Sequence, residues 1–216
     1  MQKRGGEVLF SAGDVVAFLE CGHATTLALT DLDTPLARAK DDASLELVQN
    51  KGFAHESDYL ASLKATKRVA EIPQDGAIDD LVARTQQAMR EGHDVIFQAA
   101  LRAGPFYGRA DFLQRVEEPS RLGAWRYEPA DTKLARSPKA KFLMQLAFYS
   151  DLLGHVQGAE PRAMHLALGD GAEHSYRVAD FSRYYGQVRD RFLAFAAERP
   201  GTYPERCDYC PFCPWR

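Results

Sequence analysis

Two groups of residues in this sequence have the chemistry and spacing to form a reactive centre. The first begins with Asp131-Thr132-Lys133. On an extended strand, residues two apart project to one face, so this carboxylate and this ammonium point into one volume. There the acid can hold a divalent cation, and the lysine can orient water or offset charge on a phosphate. The same Asp-x-Lys pair is also common as an exposed salt bridge. Asp111 adds a second acid, in the run GRADF between Ala110 and Phe112, where its surroundings are apolar. Two acids facing one way on neighbouring strands are about 5 Å apart, close enough to share a metal ion. Burying both without a cation is costly. His55 is a candidate third ligand as a neutral imidazole, with an ordinary helix residue as the alternative, and the default for Glu56 beside it is a solvated helix face. Gln145 and Tyr149 stand four residues apart on one helix face, able to contact a nucleic-acid backbone or to brace Lys133, although Tyr149 also suits a core.

The second group is the cysteines. Cys207, Cys210 and Cys213 place three thiols within seven residues, spacing that can wrap one metal centre, and Cys21 is the remaining thiol. Zinc sites usually combine two short ligand pairs, whereas a three-plus-one arrangement points first to an iron-sulfur cluster. Zinc and unligated thiols remain the alternatives. A shared centre would tie the C-terminal tail to the N-terminal helix and close a loop around nearly the whole chain.

The elements that must position these residues follow from hydrophobic period and punctuation. Ser11 opens a short helix that breaks at Cys21, and Ser44 to Lys67 fits two helical segments interrupted at Lys51 and Gly52. A helix over about 77–91 ends at Gly92. The stretches 94–101, 106–116 and 124–134, rich in aromatic and β-branched residues, read as an antiparallel meander. Ser137-Pro138 then starts a long helix running to Gly158. Short strands at 163–168 and 175–178 flank a Gly-Asp-Gly turn, and a last helix covers about 181–195. The expected fold is a single mixed α/β domain over 1–216, with a helical part over about 1–92, an αβ core over about 93–200 and a cysteine tail over 201–216.

Composition narrows the class. With 216 residues, 45% hydrophobic and 26% charged, the chain suits one soluble domain with a proper core. No run approaches the roughly 18 apolar residues of a membrane span, and no export signal is legible, so a cytoplasmic protein with reduced thiols is expected. The net charge of -3 hides a basic stretch: residues 101–141 hold 9 basic and 5 acidic groups, against 10 and 16 in residues 1–100. Arg109, Arg136, Lys139 and Lys141 are its candidates for meeting a polyanion, with a solvated surface as the plainer alternative. A phosphate-cradling GxxxxGK[ST] is missing, so no ATPase is expected of this chain.

Gly52-Phe-Ala-His55, Asp111, Asp131-Thr-Lys133 and Gln145-Leu-Ala-Phe-Tyr149 together resemble the RecB-like branch of the PD-(D/E)xK nucleases. Cys21 with the terminal cysteines resembles that branch's iron-sulfur subset, and the chain as a whole resembles the N-terminal nuclease part of RecB-like proteins in which a large helicase region often follows. The likeness spans about residues 8–215. It implies a restriction-endonuclease-like core of a central mixed sheet flanked by helices, and metal-dependent cleavage of DNA, at single strands or ends, in repair or processing. It further implies Mg2+ or Mn2+ held by Asp111, Asp131, the Thr132 carbonyl and either His55 or Glu56. Lys133, Gln145 and Tyr149 would complete the catalytic set, and a 4Fe-4S cluster would sit on Cys21, Cys207, Cys210 and Cys213. A helicase region or partner is the implied companion. The alternative is a nuclease-like module that binds DNA without cutting it, beside a helicase or a CRISPR adaptation complex.

Overall fold

The computed structural model describes residues 1–39 and 43–216, with the side chains of 43–46 left aside. It opens on a hairpin of β1 (Gln2–Arg4) and β2 (Glu7–Leu9), turned through Gly5 and Gly6 at positive φ. The helix α1 (Ala12–Glu20) starts in a capping box, in which the Asp14 carboxylate accepts from the Ser11 amide at 2.7 Å and the Ser11 hydroxyl accepts from the Asp14 amide at 3.4 Å. Cys21 is extended, ends α1 and caps α2 (Gly22–Asp31), its Sγ accepting from the Ala24 amide at 3.4 Å. The expected break at Cys21 is therefore a helix junction.

Next, α3 (Ala43–Lys64) is one continuous helix and not the two segments expected. Gly52 weakens a helix by about 1 kcal/mol relative to Ala, which does not break one that continues on both sides. The strand β3 (Val69–Glu71) was not legible in the sequence, while α4 (Ile78–Arg90) closes at Gly92 as expected. Then β4 (Val95–Ala103), β5 (Phe106–Val116) and β6 (Arg126–Lys133) form the antiparallel meander. Ser137 and Pro138 lie outside α5 (Ala140–Gln157), whose N-cap is Lys139, and Gly158 ends it at a φ of 66°. The chain finishes with β7 (Ala163–Leu168), β8 (Glu173–Arg177), α6 (Ser182–Glu198) and a 3-10 turn at Cys210–Phe212.

Strands β3 to β8 form one six-stranded mixed sheet in sequence order, with β3/β4 and β6/β7 parallel and the other pairs antiparallel. Helices cover both faces. A large apolar core gathers Val15 of α1, Leu81 and Met89 of α4, Leu146 to Leu153 of α5 and Phe192 of α6 on one face of the sheet. A smaller cluster on the other face joins Leu60 of α3 to Val95, Phe112 and Ala130. Burying these side chains, each contributing about 1.5–3 kcal/mol, clamps β4, β5 and β6 between two helical layers. Among the described residues no helix is long and apolar enough to cross a membrane. The architecture is mixed α/β, although the N-terminal part carries three strands that the helical expectation omitted.

Candidate active site

Strand register sets the centre. The last pair of β5 with β6 is Phe112 with Ala130, so Asp111 and Asp131 come next along the ladder, opposite one another. On the other side, Phe97/Phe112 and Ala99/Ala110 bracket Gln98 and Asp111, which form no ladder pair. Gln98 has a φ of 54°, a left-handed backbone that costs a non-glycine residue about 1–2 kcal/mol. The face alternation slips at this point. Ala110 and Leu113 join the large core while Phe112 between them joins the small one, so the kink re-aims side chains around Asp111. Strain of this kind often marks a functional site.

Four groups meet there. Asp131 is 2% exposed. Lys133 Nζ donates to its Oδ1 at 2.8 Å and lies 2.7 Å from its buried Oδ2, so one ammonium faces both carboxylate oxygens. Burial pushes the Asp111 carboxyl well above the usual carboxylate range, and the Asp131 carboxylate within hydrogen-bond reach pushes it further, against the pull of Lys133. From α3, Glu56 accepts from Gln98 Nε2 at 2.8 Å; burial raises its carboxyl against that hydrogen bond, and Asp131 raises it too. Glu56 thus joins the two aspartates. The ring atom His55 Nε2 is buried with no hydrogen-bond partner.

The upward shift of Asp111 sets the sign of its pH dependence. The folded state holds a proton that the unfolded chain releases above its ordinary value of 3.8, so this contribution is complete below that value and fades as pH rises through the raised folded one. Thermal melts in chelator from about pH 4 to about pH 8 should show that decline, and Asp111→Asn should flatten it.

The donor set suits a hard cation by its chemistry: two carboxyl groups in mutual contact and a third beside them. Among the described residues no three His, Cys, Asp or Glu side chains are arranged as a metal-ligand group. The Lys133 ammonium supplies the positive charge against Asp131 instead. The Lys133 ammonium also lies 5.7 Å from the centroid of the Phe142 ring, a cation–π contact from α5.

Tyr149 has another task. Its hydroxyl donates to the Arg109 carbonyl at 2.6 Å, pinning α5 to β5 two residues from Asp111. Burial holds the phenol far above its usual value, and Asp111 and Asp131 add to this, so Tyr149 stays neutral. Gln145 lies within hydrogen-bond reach of it, and both line a cleft of about 490 Å³ with Tyr107, Gly108 and Ser11. A Cβ on Gly108 would stand 2.9 Å from Tyr149 Cε1. Gly108→Ala is expected to displace the ring and lower stability by about 1–3 kcal/mol in thermal denaturation.

The basic candidates separate. Arg109 does not present its guanidinium to a ligand: it donates to the carbonyls of Pro73 at 2.7 Å, Gln74 at 3.2 Å and Ile72 at 3.0 Å, fixing the loop after β3. Lys141 sits 3.6 Å from Glu20 and over the Phe212 ring, between α1 and the tail. Arg136 and Lys139 are exposed in the loop joining β6 to α5, just beyond Lys133.

The four thiols are free and half-buried, and Cys21 of the N-terminal part lies near enough to act electrostatically on Cys207 and Tyr209 of the tail. Cys207 Sγ is 3.9 Å from Cys210 Sγ. The Tyr209 amide draws the Cys207 thiol down, but desolvation and the Cys210 and Cys21 thiols push it up on balance. Burial, Cys213 and Cys21 likewise raise the Tyr209 phenol. Thr202 Oγ bonds His23 Nδ1 at 2.8 Å and Thr26 Oγ at 2.9 Å, and the Pro214 carbonyl accepts from Ala39 at 2.7 Å, so the tail docks along α2. Soft thiols suit iron or zinc, and among the described residues no three of them are arranged as a metal-ligand group.

A third polar group was not anticipated. Glu128, buried in β6, accepts from the Ala163 amide at 2.9 Å and contacts His165 Nε2 at 2.8 Å, and His165 Nδ1 meets Ser175 Oγ at 2.9 Å. Although burial raises the Glu128 carboxyl, these bonds hold it below the usual range. They lace β6 to β7 and β8. No family model matches the chain, and no curated protein matches it significantly.

Proposed function

We propose that the chain is a metal-dependent DNA nuclease domain of the RecB-like PD-(D/E)xK type, on a restriction-endonuclease-like core, acting on single strands or ends in repair or processing. One observation carries this: Asp111 and Asp131 stand opposite one another on β5 and β6, with Lys133 against Asp131 and Glu56 closing the group from α3. A phosphodiester needs charge stabilisation and an aligned water, which is what acids, a lysine and a hard cation provide.

Asp111, Asp131, the Thr132 carbonyl and either Glu56 or His55 would hold Mg2+ or Mn2+, which when bound supplies positive charge at the scissile phosphate. Glu56 has the stronger claim, since it is the one coupled to both aspartates. Lys133 orients the attacking water and offsets charge gathering on the phosphate oxygens. Tyr149 keeps β5 in register against α5, and Gln145 offers its amide to the cleft. Cys21, Cys207, Cys210 and Cys213 would hold a 4Fe-4S cluster, or zinc, in a structural role. A helicase region or partner would deliver the strand.

Arg136 and Lys139, exposed and without ion pairs among the described residues, contact the strand's phosphates beside the acids. Reversing both charges should weaken DNA binding and lower the salt slope by about two, one for each phosphate no longer neutralised. Unchanged affinity and slope would remove them from the interface. The function itself is tested with end-labelled single- and double-stranded DNA incubated with Mg2+ or Mn2+ and, in parallel, with chelator. Cleavage that chelator abolishes is the expected result, whereas DNA binding without cleavage in either metal would mark a non-catalytic module.

A further inference from the structure

The middle of α3 holds an exposed aromatic ring that the fold does not use. Phe53 is 69% exposed. It precedes Glu56 by three residues, and side chains at that spacing are surface neighbours with Cβ atoms about 5–6 Å apart. Helical side chains lean toward the N-terminus, so Glu56 reaches back over the turn that carries Gly52 and Phe53. The Glu56 carboxylate is fixed by Gln98 and coupled to Asp111 and Asp131. Helical spacing thus puts Phe53 one turn before Glu56, the residue through which α3 meets the acid centre.

Gly52 makes the setting specific. It occupies a helix interior, where glycine costs about 1 kcal/mol relative to alanine, yet no atom lies within 4 Å of the place its Cβ would take. Nothing in the fold requires a bare backbone there. Gly52 and Glu56 are four residues apart on one face, so the helix surface leading to Glu56 is open and is flanked by a phenyl ring. Scattered exposed apolar residues are ordinary, and Leu47 and Val48 are also exposed, but they lie two turns or more before Glu56.

We propose that Phe53 stacks on an unpaired nucleobase next to the acid centre and is the residue by which the site tells an unpaired strand from a duplex. This rests on the nuclease reading given above. In a duplex each base is already stacked between its neighbours, so its face is not offered to a side chain, whereas an unpaired base has both faces open. Arg136 and Lys139, beyond Lys133 at the end of β6, supply the charge that follows the backbone.

Phe53→Ala and Phe53→Trp are compared with the unaltered chain by fluorescence anisotropy, using a labelled single-stranded oligodeoxynucleotide and the matching blunt duplex in chelator. Cleavage of both is then followed in Mn2+. Losing one base–aromatic stack should weaken single-strand binding between about five-fold and a hundred-fold in Phe53→Ala, and Phe53→Trp should restore it. Duplex binding should change less than two-fold, and KM for the single strand should rise while kcat holds. Equal single-strand affinity in Phe53→Ala and the unaltered chain, with both folded by circular dichroism, overturns the proposal. If the unaltered chain cleaves nothing in Mn2+ or Mg2+, it is the nuclease reading that fails, and the binding comparison still decides the stacking.

Discussion

Asp131→Ala and Lys133→Ala are each expected to lower metal-dependent cleavage by about a thousand-fold or more, since each removes several kcal/mol of charge stabilisation and every 1.36 kcal/mol is a factor of ten. Asp111→Ala should match them. Their stabilities should separate. Removing either aspartate relieves the contact between two buried carboxyls, so cation-free Asp131→Ala should be as stable as the unaltered chain or more so. Lys133→Ala instead leaves the buried Asp131 without the ammonium at 2.7 Å and is expected to cost about 1–3 kcal/mol. Initial rates and chemical denaturation on the same preparations check both halves. Near-normal rates in both Asp131→Ala and Lys133→Ala would mean that the chemistry occurs elsewhere.

The second large effect concerns the clasp. Cys21 lies between α1 and α2, and its partners lie beyond α6, so a shared metal centre closes a loop of nearly the whole chain. Closing such a loop removes roughly 5 kcal/mol of chain entropy from the unfolded state on a cross-link model. Cys21→Ser should therefore lower Tm by about 10–20 °C and release the tail to proteolysis, without acting on the acid centre directly. Protein prepared without oxygen should be brown, with four iron atoms per chain and broad absorption near roughly 400 nm. One zinc per chain, with no iron, would replace the cluster and leave the clasp; metal-free protein whose Tm is indifferent to Cys21→Ser would remove both.

What was legible in the sequence follows a physical line. The meander and α5 could be read because alternation and helical period are local, and Gly92 and Gly158 mark stops through backbone conformation. Gly52 misled for the same reason: as a local signal it weakens a helix, but α3 runs on through it. The strand β3 could not be read, since three residues carry little pattern and its parallel pairing with Val95 to Phe97 is set by chain packing across α4. At the site, the residue types of Asp111, Asp131 and Lys133 were enough to suggest one centre. Whether Glu56 or His55 faces the aspartates depends on the rotation of α3 about its axis, which no spacing states. Gln98 left a faint trace as the one uncharged polar residue in the run DVIFQAAL, yet its left-handed backbone and its bond to Glu56 arise only from tertiary structure. Arg109 shows the converse: its charge placed it in a basic patch, and the fold directs that charge to three carbonyls.

The proposed function depends on Glu56, Asp111 and Asp131 taking up a cation beside Lys133. Titrating chelator-treated protein with Mn2+ while following the free-ion signal by electron paramagnetic resonance tests it without any choice of substrate. The account predicts one Mn2+ bound per chain in the unaltered protein, and binding at least ten-fold weaker in Asp111→Asn and in Asp131→Asn. The same affinity in all three proteins, or no binding at millimolar Mn2+ in the unaltered one, would contradict it.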